Sequence, residues 1–272
     1  MKYKLLALDL DGTLLSDNGE ISPENLSSIE KASKAGTKVI ISTGRSYTSA
    51  KKFIYQVNSP DPAITYTVAV IQNHEKIIRR ITIDNELTGS LLKTFKDMGY
   101  YPIIYLTDDN KYFENLGDFK DGFLKFSAGT ESNLKKINNL YDRSWDEVIR
   151  ISVAAGEADI PILHSTLRKK YGRAIKTVDT YFSCWNFYLF EILDKSCSKS
   201  IALDFICSMY GIDSSEVITV GDNNNDLDMI RWAGLGAVMK NGLADVLIEA
   251  DYITEKSNNE NGVSEVIEKF IL

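Results

Sequence analysis

Two aspartates, Asp9 and Asp11, are separated by a single residue at the end of a short apolar run and are followed by Gly12. Like charges this close repel each other, and burial would add a desolvation cost. A bound divalent cation would relieve that cost. A solvated Asp-Gly turn explains the same residues equally well, so this segment alone leaves both interpretations open.

A hydroxyl group and a lysine lie at two other places where a predicted helix begins. Thr43 precedes Gly44 and Arg45 ahead of a helix, and free backbone amides at a helix N-terminus suit a phosphate group. An ordinary strand-to-helix turn has the same composition. Lys199 opens another predicted helix, where its charge opposes the helix dipole unless an anion is bound. A solvated surface lysine is the alternative there, and Lys195 is the competing candidate.

A second pair of acids, Asp222 and Asp226, follows Gly221 at the entry to a further predicted helix. Their carboxylate oxygens are ligands of the kind that Mg²⁺ prefers. An acidic N-cap after a glycine turn would explain one of these carboxylates, but it does not readily explain both.

Alternating strands and helices at both ends of the chain would position these residues. Short apolar runs predict strands over 5–10, 38–41, 217–220, 235–239 and 252–254. Helices are predicted from Ser22 with Pro23 in first position, from about Ser46, and over 201–210, 225–233, 243–249 and 262–270. This alternation indicates parallel strands with right-handed crossovers. Because sites in such sheets lie at the carboxyl ends of strands, we expect the four segments to converge.

The middle of the chain, from about 81 to 188, has a different pattern. Longer and more aromatic strands are predicted over 101–106, 148–153 and 181–192, with helices over 90–98 and 160–171. A hairpin-like turn is predicted at Asp108-Asp109-Asn110. The mixture predicts an α+β module inserted into the α/β domain.

Together the four segments resemble the motifs of the haloacid dehalogenase superfamily of phosphohydrolases. The matching residues are the Asp-x-Asp-Gly-Thr of 9–13, the Ser-Thr-Gly-Arg of 42–45, Ser198-Lys199, and the Gly-Asp-x-x-x-Asp of 221–226. The closer likeness is to the Cof-type subfamily (type IIB), which carries a large α/β C2 cap between its second and third motifs.

The resemblance implies an α/β fold, with a Rossmann-like parallel-sheet core and an inserted α+β cap domain. The core would comprise residues 1–82 and 188–272. The cap would comprise residues 83–187 and give substrate specificity. Within the cap the likeness extends only to position, size and the mixture of helix and strand.

The resemblance also implies a phosphoryl transfer in two steps. Asp9 would be the nucleophile that forms an aspartyl-phosphate. Asp11 would be the general acid for the leaving alkoxide and then the base for the incoming water. Thr43 would donate a hydrogen bond to the phosphoryl oxygens, and Lys199 would neutralise their charge.

The implied cofactor is Mg²⁺. Its ligands would come from Asp9, the backbone carbonyl of Asp11, Asp222 and Asp226, the last either directly or through another group. The implied substrate-binding residues are Gly12, Thr43, Gly44, Arg45, Lys199 and Asn225.

The chain departs from the Cof-type pattern in two places. Residues 63–69 lack the Asn-Gly that many members carry there, which puts substrate contacts in that stretch in doubt. In Met239-Lys240-Asn241-Gly242 a lysine stands where glycine is usual. Neither departure touches the residues implied in phosphoryl chemistry.

Composition limits the possible partners. The chain has 272 residues, 44% of them hydrophobic, which fits one large or two modest globular domains. With 31 Lys and Arg against 38 Asp and Glu, the net charge is −7, which disfavours nucleic acid as a partner. No apolar stretch approaches the ~20 residues of a membrane span. Three cysteines at loose spacing favour the reducing cytoplasm, and we expect a monomer or weak dimer.

The resemblance predicts a Mg²⁺-dependent phosphatase for a small phosphorylated metabolite, such as a sugar phosphate or a phosphorylated cofactor or nucleotide. A phosphotransferase or phosphomutase of the same capped fold is the first alternative. A non-catalytic phosphate-binding protein is the second. A phospho-accepting signalling receiver is disfavoured by the length of the chain and by its large insertion.

Overall fold

A computed structural model describes residues 2–74, 76–129 and 133–272. The chain forms two compact units. The first comprises Met1–Arg79 and Ser198–Leu272, and the second comprises Arg80–Cys197. No helix in the described ranges is long and apolar enough to cross a membrane.

The strands and helices are numbered in chain order. The strands are β1 (Leu5–Leu8), β2 (Lys38–Ile41), β3 (Ala63–Thr65), β4 (Val70–Gln72), β5 (Ile77–Arg80), β6 (Ile103–Leu106), β7 (Asn110–Phe113), β8 (Asn133–Lys136), β9 (Val148–Ala155), β10 (Ile175–Phe182), β11 (Phe187–Asp194), β12 (Val217–Gly221), β13 (Leu235–Val238) and β14 (Tyr252–Ile253). The helices are α1 (Pro23–Lys34), α2 (Tyr47–Val57), α3 (Asn85–Met98), α4 (Lys120–Gly129), α5 (Ile160–Tyr171), α6 (Lys199–Tyr210), α7 (Leu227–Trp232), α8 (Ala244–Leu247) and α9 (Gly262–Phe270).

A parallel five-stranded sheet, in the order β14-β13-β12-β1-β2, forms the centre of the first unit. Side chains along β1 alternate between its two faces. Leu6 and Leu8 pack into a hydrophobic cluster with α1, α2 and α9, whereas Leu5 and Ala7 pack into another with α6 and α7. Because both faces of the sheet are buried, its strands are apolar at nearly every position.

The predicted elements of the first unit are largely confirmed. Helix α1 begins at Pro23, and the Oγ of Ser22 accepts a hydrogen bond from the Asn25 amide at 3.1 Å. Helices α7 and α8 are both shorter than predicted, and α7 starts later because a short 3₁₀ turn at Asn224–Asp226 precedes it. A small sheet of β3, β4 and β5, which was not predicted, follows α2 and is bridged to the end of β2 through Ser42 and Ile64.

The second unit is built on a six-stranded sheet in the order β10-β11-β9-β6-β7-β8. Its strand pairs are antiparallel except for β7 and β8, which are parallel. One face packs against α3 and α5 through a buried apolar cluster that includes Ile104, Ile151 and Phe190. This architecture confirms the predicted α+β module.

The predicted single strand over 181–192 is wrong. Two antiparallel strands, β10 and β11, occupy this region and pair from Ile175 with Asp194 to Phe182 with Phe187. The connecting residues turn back with Asn186 in a left-handed conformation (φ 52°). The turn residues Ser183, Cys184, Trp185 and Asn186 include no proline or glycine, which are the strongest turn signals, and aromatic residues flank the turn on both sides.

Other elements of the second unit differ in extent. Helix α3 begins at Asn85, five residues before the predicted start, because Asp84 caps it by accepting from the amides of Glu86 and Leu87. Strands β7 and β8 and helix α4 were not predicted. The turn at Asp108-Asp109-Asn110 is confirmed between β6 and β7, with Asp109 in the left-handed region (φ 68°).

The boundaries of the two units differ from those expected at 82/83 and 187/188. The chain divides after Arg79 and after Cys197. The difference is larger at the second boundary, because β11 pairs along its whole length with β10 and along most of its length with β9. Hydrogen bonding therefore holds β11 in the second unit.

Candidate active site

Lys199 lies at the centre of a buried network in the first unit. Its Nζ donates to Asp9 Oδ1 at 2.7 Å, to Asp226 Oδ1 at 2.6 Å and to the backbone carbonyl of Ser42 at 2.8 Å. Asp9 and Ser42 directly follow β1 and β2, while Lys199 is the first residue of α6. Only 2% of Lys199 is exposed, and all three of its ammonium protons have acceptors.

Asp226 holds the loop after β12 in place. Its Oδ2 accepts from the amides of Asp222 at 3.0 Å and Asn223 at 3.1 Å, while its Oδ1 accepts from Lys199. A Cβ on Gly221 would lie 2.6 Å from the Cβ of Asp226, so only glycine allows this approach. Asp226 thus connects Lys199 to the backbone of the loop that carries Asp222.

Asp222 is positioned from the opposite side by the turn after β1. Thr13 Oγ1 donates to Asp222 Oδ1 at 2.9 Å. Gly12 has φ 77°, and a Cβ there would lie 2.3 Å from Asp222 Oδ2. Two separate reasons therefore require glycine at this position. The side-chain amide (Nδ2) of Asn241, in the loop after β13, donates to the backbone carbonyl of Gly12 at 2.8 Å. This hydrogen bond holds the turn after β1 in place.

One carboxylate oxygen from each of Asp9, Asp222 and Asp226 lies within 4.8 Å of the other two. We call these three residues the acidic triad. They place three carboxylates against the single ammonium group of Lys199. Their all-oxygen donor set fits a hard divalent cation, whose charge would offset the excess.

The pKa shifts reflect this imbalance. Burial raises the pKa of Asp9 well above its ordinary value, with Lys199 opposing the shift and the carboxylates of Asp226 and Asp222 adding to it. Burial, and then Asp226, raises the pKa of Asp222 to about 7. Burial disfavours the charge of Lys199, but Asp226 and Asp9 outweigh it and raise the pKa of Lys199 above its ordinary value.

Asp11 is placed differently from the acidic triad. Its side chain is 57% exposed and forms a bidentate pair with Arg45, whose Nε donates to Oδ2 at 2.8 Å and Nη2 to Oδ1 at 2.5 Å. The hydrogen bond to Asp11 raises the pKa of Arg45 above its ordinary value. Two of the predicted residues therefore contact each other, and the carboxylate of Asp11 lies outside the acidic triad.

Thr43 is buried two residues after the end of β2, and its Oγ1 accepts from the Arg45 amide at 3.2 Å. Between them, Gly44 has no positive φ, and a Cβ there would lie 3.7 Å from Thr67 Oγ1, an ordinary contact. Neither conformation nor space therefore requires glycine at residue 44. Asn225 is half-buried and its Oδ1 has no hydrogen-bond partner among the described residues.

The stretch that departs from the Cof-type pattern forms a strained turn beside this loop. Tyr66, Thr67 and Val68 have φ values of 56°, 52° and 81°, three successive left-handed residues without a glycine. The Tyr66 amide donates to the Arg45 carbonyl at 2.7 Å. In place of Asn-Gly, this chain has residues without a glycine that adopt the left-handed region at a conformational cost.

Sequence analysis did not select Thr13 or Asn241 as site residues. Thr13 lies within the Asp-x-Asp-Gly-Thr motif, so its position in that motif was the available signal. Asn241 is 229 residues from its partner Gly12, and only the fold brings the two together.

The chain matches the sequence profile of the haloacid dehalogenase-like hydrolases over residues 6–267. It belongs to this family. The match spans both units and includes every motif described above.

Three similar proteins show how far the likeness of this haloacid dehalogenase-like hydrolase extends. YxeH of Bacillus subtilis (strain 168) is 30% identical over 279 residues, which cover 99% of each chain. The 5-amino-6-(5-phospho-D-ribitylamino)uracil phosphatase YitU of the same organism is 26% identical and covers 99% of this chain and 98% of its own. The solved structure of the HAD subclass IIB sugar phosphatase BT4131 superposes with a TM-score of 0.79 at 23% identity over 98% of each chain, a likeness of fold alone.

The predicted resemblance to the haloacid dehalogenase superfamily and its Cof-type subfamily is confirmed. The predicted fold class, a parallel α/β core with an inserted α+β unit, is confirmed as well. The prediction of a phosphatase enzyme is confirmed at the level of the family, a hydrolase family whose named members include phosphatases.

Proposed function

We propose that this hydrolase is a Mg²⁺-dependent phosphatase that cleaves small phosphomonoesters through an aspartyl-phosphate intermediate. The observation that carries the proposal is the buried Lys199, which bridges Asp9 and Asp226 inside an excess of carboxylates. Such a site holds the nucleophile in place and favours a bound divalent cation, which together with Lys199 would offset the negative charge of a transferring phosphoryl group.

In the first step Asp9 attacks phosphorus through Oδ2, since its Oδ1 is held by Lys199. A bond forms between this oxygen and phosphorus while the bond from phosphorus to the alkoxide breaks. Asp11 donates a proton to the leaving oxygen. In the second step Asp11 takes a proton from water, which attacks the phosphorus of the aspartyl-phosphate and releases inorganic phosphate and free Asp9.

Arg45 has two roles in this proposal. In the structure it holds Asp11 in a bidentate pair. We propose that substrate phosphoryl oxygens compete with Asp11 for the guanidinium group, which frees Asp11 for proton transfer. The Thr43 hydroxyl and the backbone at Gly12 and Gly44 would bind the same oxygens.

The residues that would hold Mg²⁺ are Asp9, Asp222 and Asp226 through their carboxylates and Asp11 through its backbone carbonyl. The cation would supply positive charge next to the phosphoryl oxygens. The amide donors to Asp226 and the Thr13 hydroxyl at Asp222 orient these carboxylates beforehand.

We propose that the first unit is the catalytic core and that the second unit is a cap that selects the substrate, with Asn225 contacting substrate at the core. The name of YitU, a 5-amino-6-(5-phospho-D-ribitylamino)uracil phosphatase, supports a small phosphorylated metabolite as the substrate, and the proposed classes remain sugar phosphates and phosphorylated cofactors or nucleotides. The free thiols of Cys184, Cys197 and Cys207 support the cytoplasm as the compartment. A monomer or weak dimer stays the proposed oligomeric state.

The experiment is phosphate release from a panel of phosphomonoesters, with and without Mg²⁺, for the wild type and for Asp9→Asn. The exposed Asp245 on α8 provides the matched control, Asp245→Asn. We expect Mg²⁺-dependent release that falls by about 10³-fold or more in Asp9→Asn and is unchanged in the control. Phosphate moved to another hydroxyl without release would show a phosphotransferase or mutase. Substrate binding without turnover by folded wild type would show a phosphate-binding protein, and either outcome would overturn the proposal.

A further inference from the structure

A row of buried charged side chains crosses the sheet of the second unit and has no part in the proposed chemistry. Lys111 on β7 lies directly opposite Tyr105 on β6, and Tyr105 lies directly opposite Arg150 on β9. Glu191 on β11 is the diagonal neighbour of Arg150, since it pairs with Ser152. We call these four residues, Lys111, Tyr105, Arg150 and Glu191, the charged row.

The charged row occupies the face of the sheet opposite α3 and α5. Side chains alternate along a strand. The sequence neighbours Ile104, Ile151 and Phe190 pack into the cluster with the helices, so the charged row points to the other face. Lys111 is 5% exposed and Arg150 is 9% exposed, although neither residue type is usually buried without a partner.

The charges of the row do not balance. Arg150 forms an ion pair with Glu191. Lys111 forms no ion pair with any described residue, and its Nζ lies 5.1 Å from the centre of the Tyr105 ring. The Arg150 guanidinium lies 4.1 Å from the same ring, and its Nε has no acceptor. Arg150 Nε is therefore a buried donor without an acceptor, and Lys111 is a nearly buried ammonium group without an ion-pair partner among the described residues, and both are costly.

The titration of Lys111 agrees with this geometry. Burial, and then the charge of Arg150, lowers the pKa of Lys111 to about 7, while the charges of Asp109 and Glu191 only partly oppose the shift. An anion beside the ammonium group would stabilise its charged form.

We propose that the charged row binds an anionic group, a carboxylate or phosphate of a small molecule, through Lys111 and Arg150. Lys111 Nζ supplies charge and up to three donors, and Arg150 Nε supplies one directed donor. Glu191 holds Arg150 in position and repels anions from its own side of the row. A neutral polyol can accept hydrogen bonds from these donors but supplies no countercharge, so it binds more weakly than an anion.

The anionic group has two possible sources. It is either part of a substrate, which then carries an anion in addition to its scissile phosphate, or a separate small anion. The first source rests on the proposed phosphatase function, whereas the second does not. The experiment therefore measures both substrate selectivity and direct anion binding.

The variants are Lys111→Met, which keeps the length of the side chain, and Lys111→Arg, which restores the charge. The exposed Lys136 on the neighbouring strand β8 provides the control, Lys136→Met. Selectivity is the ratio of kcat/KM for 3-phosphoglycerate to that for glycerol 3-phosphate, which differ in a carboxylate. Binding is measured by calorimetric titration with succinate, which carries no phosphoryl group.

If the anion belongs to the substrate, Lys111→Met lowers kcat/KM for 3-phosphoglycerate by about tenfold or more and leaves glycerol 3-phosphate within about twofold. If the anion is separate, selectivity is unchanged and succinate affinity falls by a similar factor. In both cases Lys111→Arg recovers most of the loss and Lys136→Met has no effect. Equal effects on both esters, or unchanged selectivity together with unchanged or absent succinate binding, would overturn the proposal. Failure of the phosphatase function itself appears separately, as no phosphate release from any ester by wild type.

Discussion

In the first unit one ammonium group faces three carboxylates, whereas in the second unit two cationic side chains face one carboxylate. Both groups are buried, so water does not screen their excess charge. Each group therefore lacks the opposite charge that would balance it. This difference in the sign of the excess charge indicates which kind of ion each group is suited to bind. An excess of buried negative charge favours a cation, and an excess of buried positive charge favours an anion.

The two places also differ in how they are built. The acidic triad lies on loops after β1 and β12, and backbone amides and a glycine with positive φ shape those loops. The charged row lies on regular strands, where register alone brings Lys111, Tyr105 and Arg150 side by side. Loop-borne charges are sensitive to backbone changes, whereas strand-borne charges are sensitive mainly to side-chain changes.

The same substitution, lysine to methionine, should cost much more stability in the first unit than in the second. Lys199→Met leaves Asp9 and Asp226 buried without their cation and should lower the free energy of unfolding by about 3–5 kcal/mol. Lys111→Met removes a buried charge that has no ion pair and should change it by less than about 1 kcal/mol. Urea unfolding of both variants and wild type, without divalent cation, measures the contrast. Equal losses would show that the two lysines are equally well paired.

The two sites should also respond to pH in opposite directions. Asp222 must be ionised to bind a cation, and its pKa is raised to about 7, so Mg²⁺ affinity should fall about tenfold per pH unit below 7. Lys111 must be protonated to bind an anion, and its pKa is lowered to about 7, so anion affinity should fall about tenfold per unit above 7. Calorimetry between pH 5 and 9 tests both slopes. A Mg²⁺ affinity independent of pH below 7 would contradict the charge imbalance of the acidic triad.

Backbone sensitivity of the loop-borne site can be tested at Gly12. Gly12→Ala forces a side chain into φ 77° and places a Cβ 2.3 Å from Asp222 Oδ2. We expect a loss of about 2 kcal/mol in the free energy of unfolding, together with weaker Mg²⁺ binding. Gly44→Ala is the matched control, because its Cβ meets only an ordinary contact, and it should change stability by less than about 0.5 kcal/mol. If both variants lose stability, the cause would be the loss of glycine's conformational freedom and not a lack of space for the added Cβ.

The smallest expected effect concerns the turns that flank these sites. Hairpin turns of the second unit place Asp109 and Asn186 in the left-handed region, which these residue types tolerate, whereas the first unit places Thr67 there. Thr67→Asn should raise the free energy of unfolding by about 0.5–1 kcal/mol. Thermal unfolding measures this gain in stability. The reciprocal variant Asn58→Thr, at the end of α2 (φ 51°), should lower the free energy of unfolding by a similar amount. If Thr67→Asn is less stable than the wild type, the contacts of the Thr67 side chain stabilise the fold by more than the backbone strain destabilises it.

The first unit could be predicted largely from the sequence because its strands are short, continuous apolar runs that end at residues with distinctive chemistry. The helix start at Ser22-Pro23 was predicted for the same reason, since capping is a local interaction. In the second unit the turn between β10 and β11 carries Ser183 and Asn186 but no glycine or proline, and the two strands were predicted as one.

By itself, the sequence determined that acids, a hydroxyl group and a lysine follow strands or open helices of a parallel α/β unit, because these arrangements depend on neighbours along the chain. Only the tertiary structure decided that Lys199 bridges Asp9 and Asp226, that Arg45 holds Asp11, and that Gly12 makes room for Asp222. Only strand order and register could place Lys111, Arg150 and Glu191 together. The physical reason is that long-range pairing depends on packing of whole elements, and no local pattern encodes which strands become neighbours.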